Sequence, residues 1–126
     1  MIWDYHAPWW LPGGNVQTIY SAKFARRYTG AKPCWARERW DTPDGDFVDV
    51  DWRSDDAVLP EEAPLLVLFH GLEGSSSSHY AEAFAQEAQA RGWHMAVPHF
   101  RGCSGEINWT PRAYHSGDFE EIGWML

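Results

Sequence analysis

Leu65 to Phe69 is an unbroken apolar run, and a run of that length without polar alternation predicts a strand buried on both faces. After it, His70-Gly71-Leu72-Glu73-Gly74 leads through serines 75–78 into a different period. Tyr80, Ala81, Phe84, Ala85 and Ala88 fall on one helical stripe, while Glu82, Gln86 and Gln89 face away. Gly92 stops that helix, and Trp93 to Pro98 is a second apolar run, so strand, helix and strand make a parallel βαβ unit. Upstream, residues 37–42 and 46–53 flank Thr42-Pro43-Asp44-Gly45-Asp46, whose Pro, Asp and Gly each suit a tight turn. The two segments predict a hairpin. In its second strand Val48, Val50 and Trp52 alternate with Asp49, Asp51 and Arg53, which predicts one packed face, one wet face and a place towards the sheet edge.

The ends are less regular. Pro8, Pro12, Gly13 and Gly14 interrupt the first stretch. From Asn15, a good N-cap, Val16, Ile19, Tyr20, Phe24 and Tyr28 repeat at helical spacing towards Gly30, with Lys23, Arg26 and Arg27 near the C-terminal end. The favoured reading is a helix packed on its own domain; transient contact of this arm with a membrane surface is the weaker one. A long loop, His99 to Gly117, separates the second strand of the βαβ unit from a last helix. There Asp118 and Glu121 have the spacing of a capping box, and Phe119, Ile122 and Leu126 mark an apolar face. This helix reaches Leu126 without a capping residue, which predicts a longer protein. The expected class is α/β, mostly parallel, as one partial domain over 1–126: an arm and helix over 1–36 and a sheet core over 37–126.

Composition narrows the partners. The net charge of −8 is uneven, with the basic residues concentrated before Trp40 and an acidic body after it. Coulomb repulsion from that body argues against nucleic acid. Nine tryptophans predict a core filled with bulky aromatic groups. Cys34 and Cys103 have neither metal nor redox spacing, which fits a reducing, cytoplasmic setting. The six histidines are scattered, and neither a metal-hydrolase motif nor a phosphate-cradling glycine pattern is present, so no metal and no cofactor is expected.

A strand running into a His-Gly loop and then a helix is the arrangement with which an α/β-hydrolase supplies one oxyanion-hole N–H. The likeness is closer than fold class. LPGGNVQTI (11–19), RERWDTPDGDFVDVDW (37–52), LVLFHGLEGSSSSHYA (66–81) and the stretch from RGWHMAVPHFRGCSGE to RAYHSGD (91–118) resemble the YheT-like α/β-hydrolases, bacterial relatives of the mammalian monoacylglycerol and phospholipid hydrolases. One departure is Asn15, where the family usually has His. The resemblance implies a serine hydrolase of carboxylic esters with lipid-like or acyl-chain substrates. It also implies that the Ser-Asp-His triad lies beyond residue 126, so that no catalytic residue is expected within the chain. Gly102-Cys103-Ser104-Gly105-Glu106 only approaches the G-x-S-x-G elbow, since Glu106 replaces the second glycine. By the family pattern the Leu72 N–H faces the developing oxyanion, Gly71 allows close approach, Gly74 allows the sharp turn, and His70 braces the loop. His99, Arg101, His115 and Asp118 are candidates for support on the same sheet edge. The family order of strands also leaves Leu65–Phe69 at an edge here. The rival class, a binding module with exposed Trp platforms for lipid or sugar, predicts an all-β fold.

Overall fold

A computed structural model describes residues 6–24, 29–54, 58–115 and 117–126. The elements in order are α1 (Gly14–Lys23), β1 (Trp35–Asp41), β2 (Phe47–Arg53), β3 (Leu65–Val67), α2 (His79–Arg91), β4 (His94–Pro98) and α3 (Phe119–Met125). The strands form one sheet in the order β1-β2-β4-β3. β1 and β2 are the antiparallel hairpin, β4 runs antiparallel to β2, and β3 runs parallel to β4. Both predicted units are therefore present, and β4 joins them. Among the described residues no helix is long and apolar enough to cross a membrane.

Residues opposite one another in the ladder share a face, so Asp51 lies beside Val97, and Met95 beside Leu66. On that face Ala85 and Ala88 of α2 pack against Met95 and Val97, with Trp35, Leu66, Leu68 and Trp93 around them. Alanine at both contact positions lets the helix axis come close to the sheet. α2 ends at Gly92, whose φ of 67° is left-handed and whose N–H satisfies the carbonyls of Ala88 and Gln89. On the opposite face Trp124 of α3 meets Trp40 edge-on, with centroids 6.3 Å apart.

Several expectations are corrected. β2 is not near an edge but lies between β1 and β4, and its supposedly wet side is buried, with Asp49 and Asp51 at 1% and 3% exposure. The reason is charge pairing across the hairpin. Arg39 stands opposite Asp49 and Arg37 opposite Asp51, each giving its carboxylate two hydrogen bonds of 2.7 and 2.9 Å. β3 is an edge strand, as the family order implies, but it is shorter than the apolar run and only partly buried because it has a neighbour on one side alone. On α2 the stripe is rotated: Ala81, Glu82, Ala85 and Ala88 are buried while Phe84 is exposed, and Glu82 is met by Lys32 at 3.6 Å.

The tryptophans do not fill the core. None of those described is fully buried, and the largest enclosed side chains are Phe47, Met95, His99 and the valines 48, 50 and 97. α1 begins at Gly14, with Gly13 rather than Asn15 in the capping position, and it buries no residue. Its Tyr20 meets Trp10 of the preceding arm at 5.3 Å and Phe24, just after the helix, at 6.1 Å. Arg26, Arg27 and Tyr28 of the expected helix lie outside the described residues. Around α3 the capping box does not form. Asp118 accepts from Arg112 at 2.6 Å and Glu121 from Arg101 at 3.0 Å, and Glu121 and Met125 are buried while Phe119 and Leu126 are exposed.

Candidate functional site

Where β3 ends, the chain turns over the carboxyl edge of the sheet through residues 70–78 before entering α2. Three of four successive amides in this loop are occupied. Gly71 N–H donates to the Tyr80 hydroxyl at 3.0 Å, Glu73 N–H to the Tyr114 hydroxyl at 2.7 Å, and Gly74 N–H to the Gly71 carbonyl at 3.0 Å. The Leu72 N–H between them has no hydrogen-bond partner among the described residues. Glu73 holds a φ of 55°, the left-handed region that a non-glycine residue adopts at a cost of about 1 kcal/mol. Gly74 is required for space rather than for its dihedral: a Cβ there would come within 2.9 Å of His70 Cβ and 3.0 Å of the Gly71 carbonyl oxygen, and would meet the Tyr80 hydroxyl. Around Gly71 a Cβ would find room. The tight packing inside the loop is thus at Gly74.

His70 is buried and both ring nitrogens are committed. Nε2 accepts the Phe100 N–H at 3.0 Å, so the proton sits on Nδ1, which faces the Gly71 carbonyl at 2.8 Å. Burial pushes this ring below the usual histidine range. His99 repeats the arrangement one strand away: Nε2 accepts the Ser76 N–H at 3.2 Å and Nδ1 faces the Asp49 carbonyl at 3.1 Å. It too is pushed down by burial, which outweighs the opposing charge of Asp51. The two rings lie 5.7 Å apart. Neither has a free nitrogen with which to take a proton from a nucleophile.

Sequence reasoning did not find Ser76. Its hydroxyl donates to Asp51 Oδ2 at 2.6 Å, so a serine, a histidine and an aspartate meet beneath the loop. They are not a nucleophilic relay. The hydroxyl points at the carboxylate rather than at the imidazole, and Ser76 is 3% exposed. The hairpin register, which sets Arg37 opposite Asp51, is the signal that would have marked Asp51 as buried and paired. Ser104 is no better placed: its carbonyl accepts from Arg37 at 2.6 Å, and no histidine meets its hydroxyl among the described residues.

The remaining candidates separate into two groups. His115 is exposed, accepts the Gly117 N–H at 3.2 Å, and lines a recess of about 500 Å³ with Phe69, His70, Leu72, Phe100 and Tyr114. Phe100 and Tyr114 are stacked there, 5.1 Å apart. The Arg101 and Asp118 side chains belong to a buried ionic cluster, although Asp118 N–H donates to the His115 carbonyl at 3.0 Å and Arg101 lines a second recess with Leu72 and Tyr114. Arg101 bonds Asp44, Asp46 and Glu121. Burial alone would raise the Asp46 carboxyl, but hydrogen bonds from Thr110, the Trp109 N–H and Asn108 outweigh it and hold that group well below the carboxylate range. Asp44, bonded by Arg101 and Thr42, is lowered to about 2. Burial raises Glu121. This cluster ties the loop after β4 to the hairpin turn and to α3.

Comparison with known proteins places these residues in context. The putative esterase YheT of Escherichia coli K12 is 47% identical over 112 residues, covering 89% of this chain and 32% of that protein. Protein abhd-3.2 of Caenorhabditis elegans is 32% identical over 97% of the chain and 32% of its own length, and the human phospholipase ABHD3 is 27% identical over 94% of the chain and 29% of its own. The chain thus spans about a third of the length of these curated relatives. No family model and no solved structure matches it.

Proposed function

The chain belongs to the YheT-like α/β-hydrolases, and from that premise we propose that it contributes the Leu72 N–H as one half of the oxyanion hole of a serine hydrolase acting on carboxylic esters. The single observation behind this is that, among the described residues, the Leu72 N–H has no partner while the amides of Gly71, Glu73 and Gly74 beside it are occupied. Attack on an ester carbonyl moves negative charge onto its oxygen. A fixed donor aimed at that oxygen stabilises the transition state more than the substrate, and one such donor is worth roughly 10²- to 10³-fold in rate. The chain's residues orient this donor; the nucleophile, acid and histidine come from beyond residue 126. The apolar recess beside Leu72, walled by Phe69, Phe100 and Tyr114, suits the hydrocarbon part of a lipid-like or acyl-chain ester. A cytoplasmic location belongs to the same reading, resting on the unpaired Cys34 and Cys103.

The alternative, an aromatic-rich module binding lipid or carbohydrate, requires an all-β fold. α2 and the parallel βαβ unit weigh against it.

The test is a chimera in which this chain replaces the matched third of the E. coli relative. It is expected to hydrolyse a short-chain p-nitrophenyl ester, with Leu72→Pro, which removes the N–H, lowering kcat about 100-fold. The 126-residue chain alone is expected to show no turnover. Turnover by that chain, abolished by Ser104→Ala, would refute the reading.

A further inference from the structure

The loop carrying the Leu72 amide is fastened at both ends to the residues that follow β4 directly, His99 and Phe100. At its start His70 takes the Phe100 N–H. At its end Ser76 makes two bonds, its N–H to His99 at 3.2 Å and its hydroxyl to Asp51 at 2.6 Å. Asp51 is itself fixed by Arg37, through bonds of 2.7 and 2.9 Å, and Arg37 reaches on to the Ser104 carbonyl at 2.6 Å. Backbone pairing of β2 with β1 and β4 does not need this carboxylate. Taking a carboxylate out of water costs several kcal/mol before its partners offset it, so an apolar residue in this position would serve the sheet at least as well. The Asp51 side chain therefore serves something other than the ladder, and what it holds besides Arg37 is the end of the loop.

We propose that Ser76 and Asp51 are positioning residues for the Leu72 amide: the bond between them sets where the 70–78 loop sits over the sheet and so aims the donor at the oxyanion. The inference rests on the reading of Leu72 given above. Neither residue touches substrate, since both are at 3% exposure under the loop. Their effect is on the amide's direction. Ser76→Ala is a clean probe, because Asp51 Oδ2 keeps the Arg37 bond at 2.9 Å when the hydroxyl is gone, and the Ser76 N–H to His99 is unchanged. The carboxylate is not orphaned, the fold is retained, and the loss falls on the loop.

The experiment is steady-state kinetics in the chimera described above, with wild type, Ser76→Ala, Ser76→Thr and Leu72→Pro compared. In Ser76→Ala kcat is expected to fall roughly 10- to 100-fold while KM stays within about twofold, as for a donor displaced by a fraction of an ångström to an ångström. A trifluoromethyl ketone, which presents the oxyanion, loses affinity by the same factor, and Ser76→Thr recovers part of the rate by restoring the hydroxyl. Unchanged kcat in Ser76→Ala, or a loss shared equally by substrate and ketone binding, overturns the positioning role while Leu72 stands. Full kcat in Leu72→Pro, or no ester hydrolysis by wild type, overturns both.

Discussion

Phe100 N–H donates to His70 Nε2 at 3.0 Å, a bond that exists only while the imidazole is neutral. His99 is held neutral in the same way by the Ser76 N–H. Both rings are pushed below the usual histidine range by burial. Above about pH 6.5 the rings are neutral in folded and unfolded chain alike and contribute no pH dependence. Below it the unfolded chain takes up protons that the native rings refuse, so stability falls as pH drops towards the lower native values, by up to about 1.4 kcal/mol per unit for each ring. Glu121, raised by burial, opposes part of this slope. Urea midpoints measured between pH 5.5 and 7.5 should rise with pH, and His70→Asn should flatten the rise. A flat wild-type profile would contradict the neutral pair.

Asp46 is fully enclosed and accepts from the Phe47, Trp109 and Thr110 amides, the Thr110 hydroxyl, Asn108 and Arg101. Removing the carboxylate takes the acceptor from the Phe47, Trp109 and Thr110 amides, while Arg101 keeps Asp44 and Glu121 and Asn108 keeps the Phe47 carbonyl. Asp46→Ala is expected to lose about 3–5 kcal/mol, and Asp46→Asn should not rescue it, because its amide would face other donors. Chemical denaturation measures both; a loss below about 1 kcal/mol in Asp46→Ala would be inconsistent with this network.

Glu121 is bonded to Arg101 through one oxygen, while its other buried oxygen and one of Asp118 have no hydrogen-bond partner among the described residues. Its raised native pKa means that its contribution is fullest below the unfolded value and is lost as pH rises through the native one. Glu121→Gln keeps the acceptor for Arg101 and removes the charge beside Asp118. It should therefore raise the melting temperature at pH 8 relative to wild type, with the difference shrinking by pH 4.5. A variant less stable than wild type at pH 8 would show that the charge is wanted there.

β3 leaves a free edge carrying the half-exposed Leu65, and an unpaired apolar edge is a template for another strand. The 126-residue chain is expected to self-associate on size exclusion in a concentration-dependent manner, and Leu65→Lys should shift it towards monomer. A compact wild-type monomer with slow amide exchange along β3 would refute this.

The hairpin, the βαβ unit and the Gly92 stop were readable because each depends on neighbours close in sequence. Burial of Asp49 and Asp51 was not, since alternation reports a period and leaves open what covers either face. Here Arg37 and Arg39 from the facing strand do so, a pairing that counting back from the Thr42–Asp46 turn predicts. Tryptophan count misled for a related reason: Met95, Val97 and the small alanines 85 and 88 suit the narrow space under α2, leaving the larger indoles of Trp35 and Trp93 at its margins. The loop between β3 and α2 was legible through its His-Gly motif, whereas Ser76 and Asp51 meet across 25 residues with no local pattern to join them.

The order of the strands also governs assembly during synthesis. β2 and β3 are not paired with each other, and each is bonded to β4, the last of the four to be made. A nascent chain that ends before His94 consists of a separate hairpin and a solitary apolar segment. When residues 94–98 emerge, they enter between the two and close the sheet in one event, so the interval before that moment is when the chain most needs protection from its neighbours.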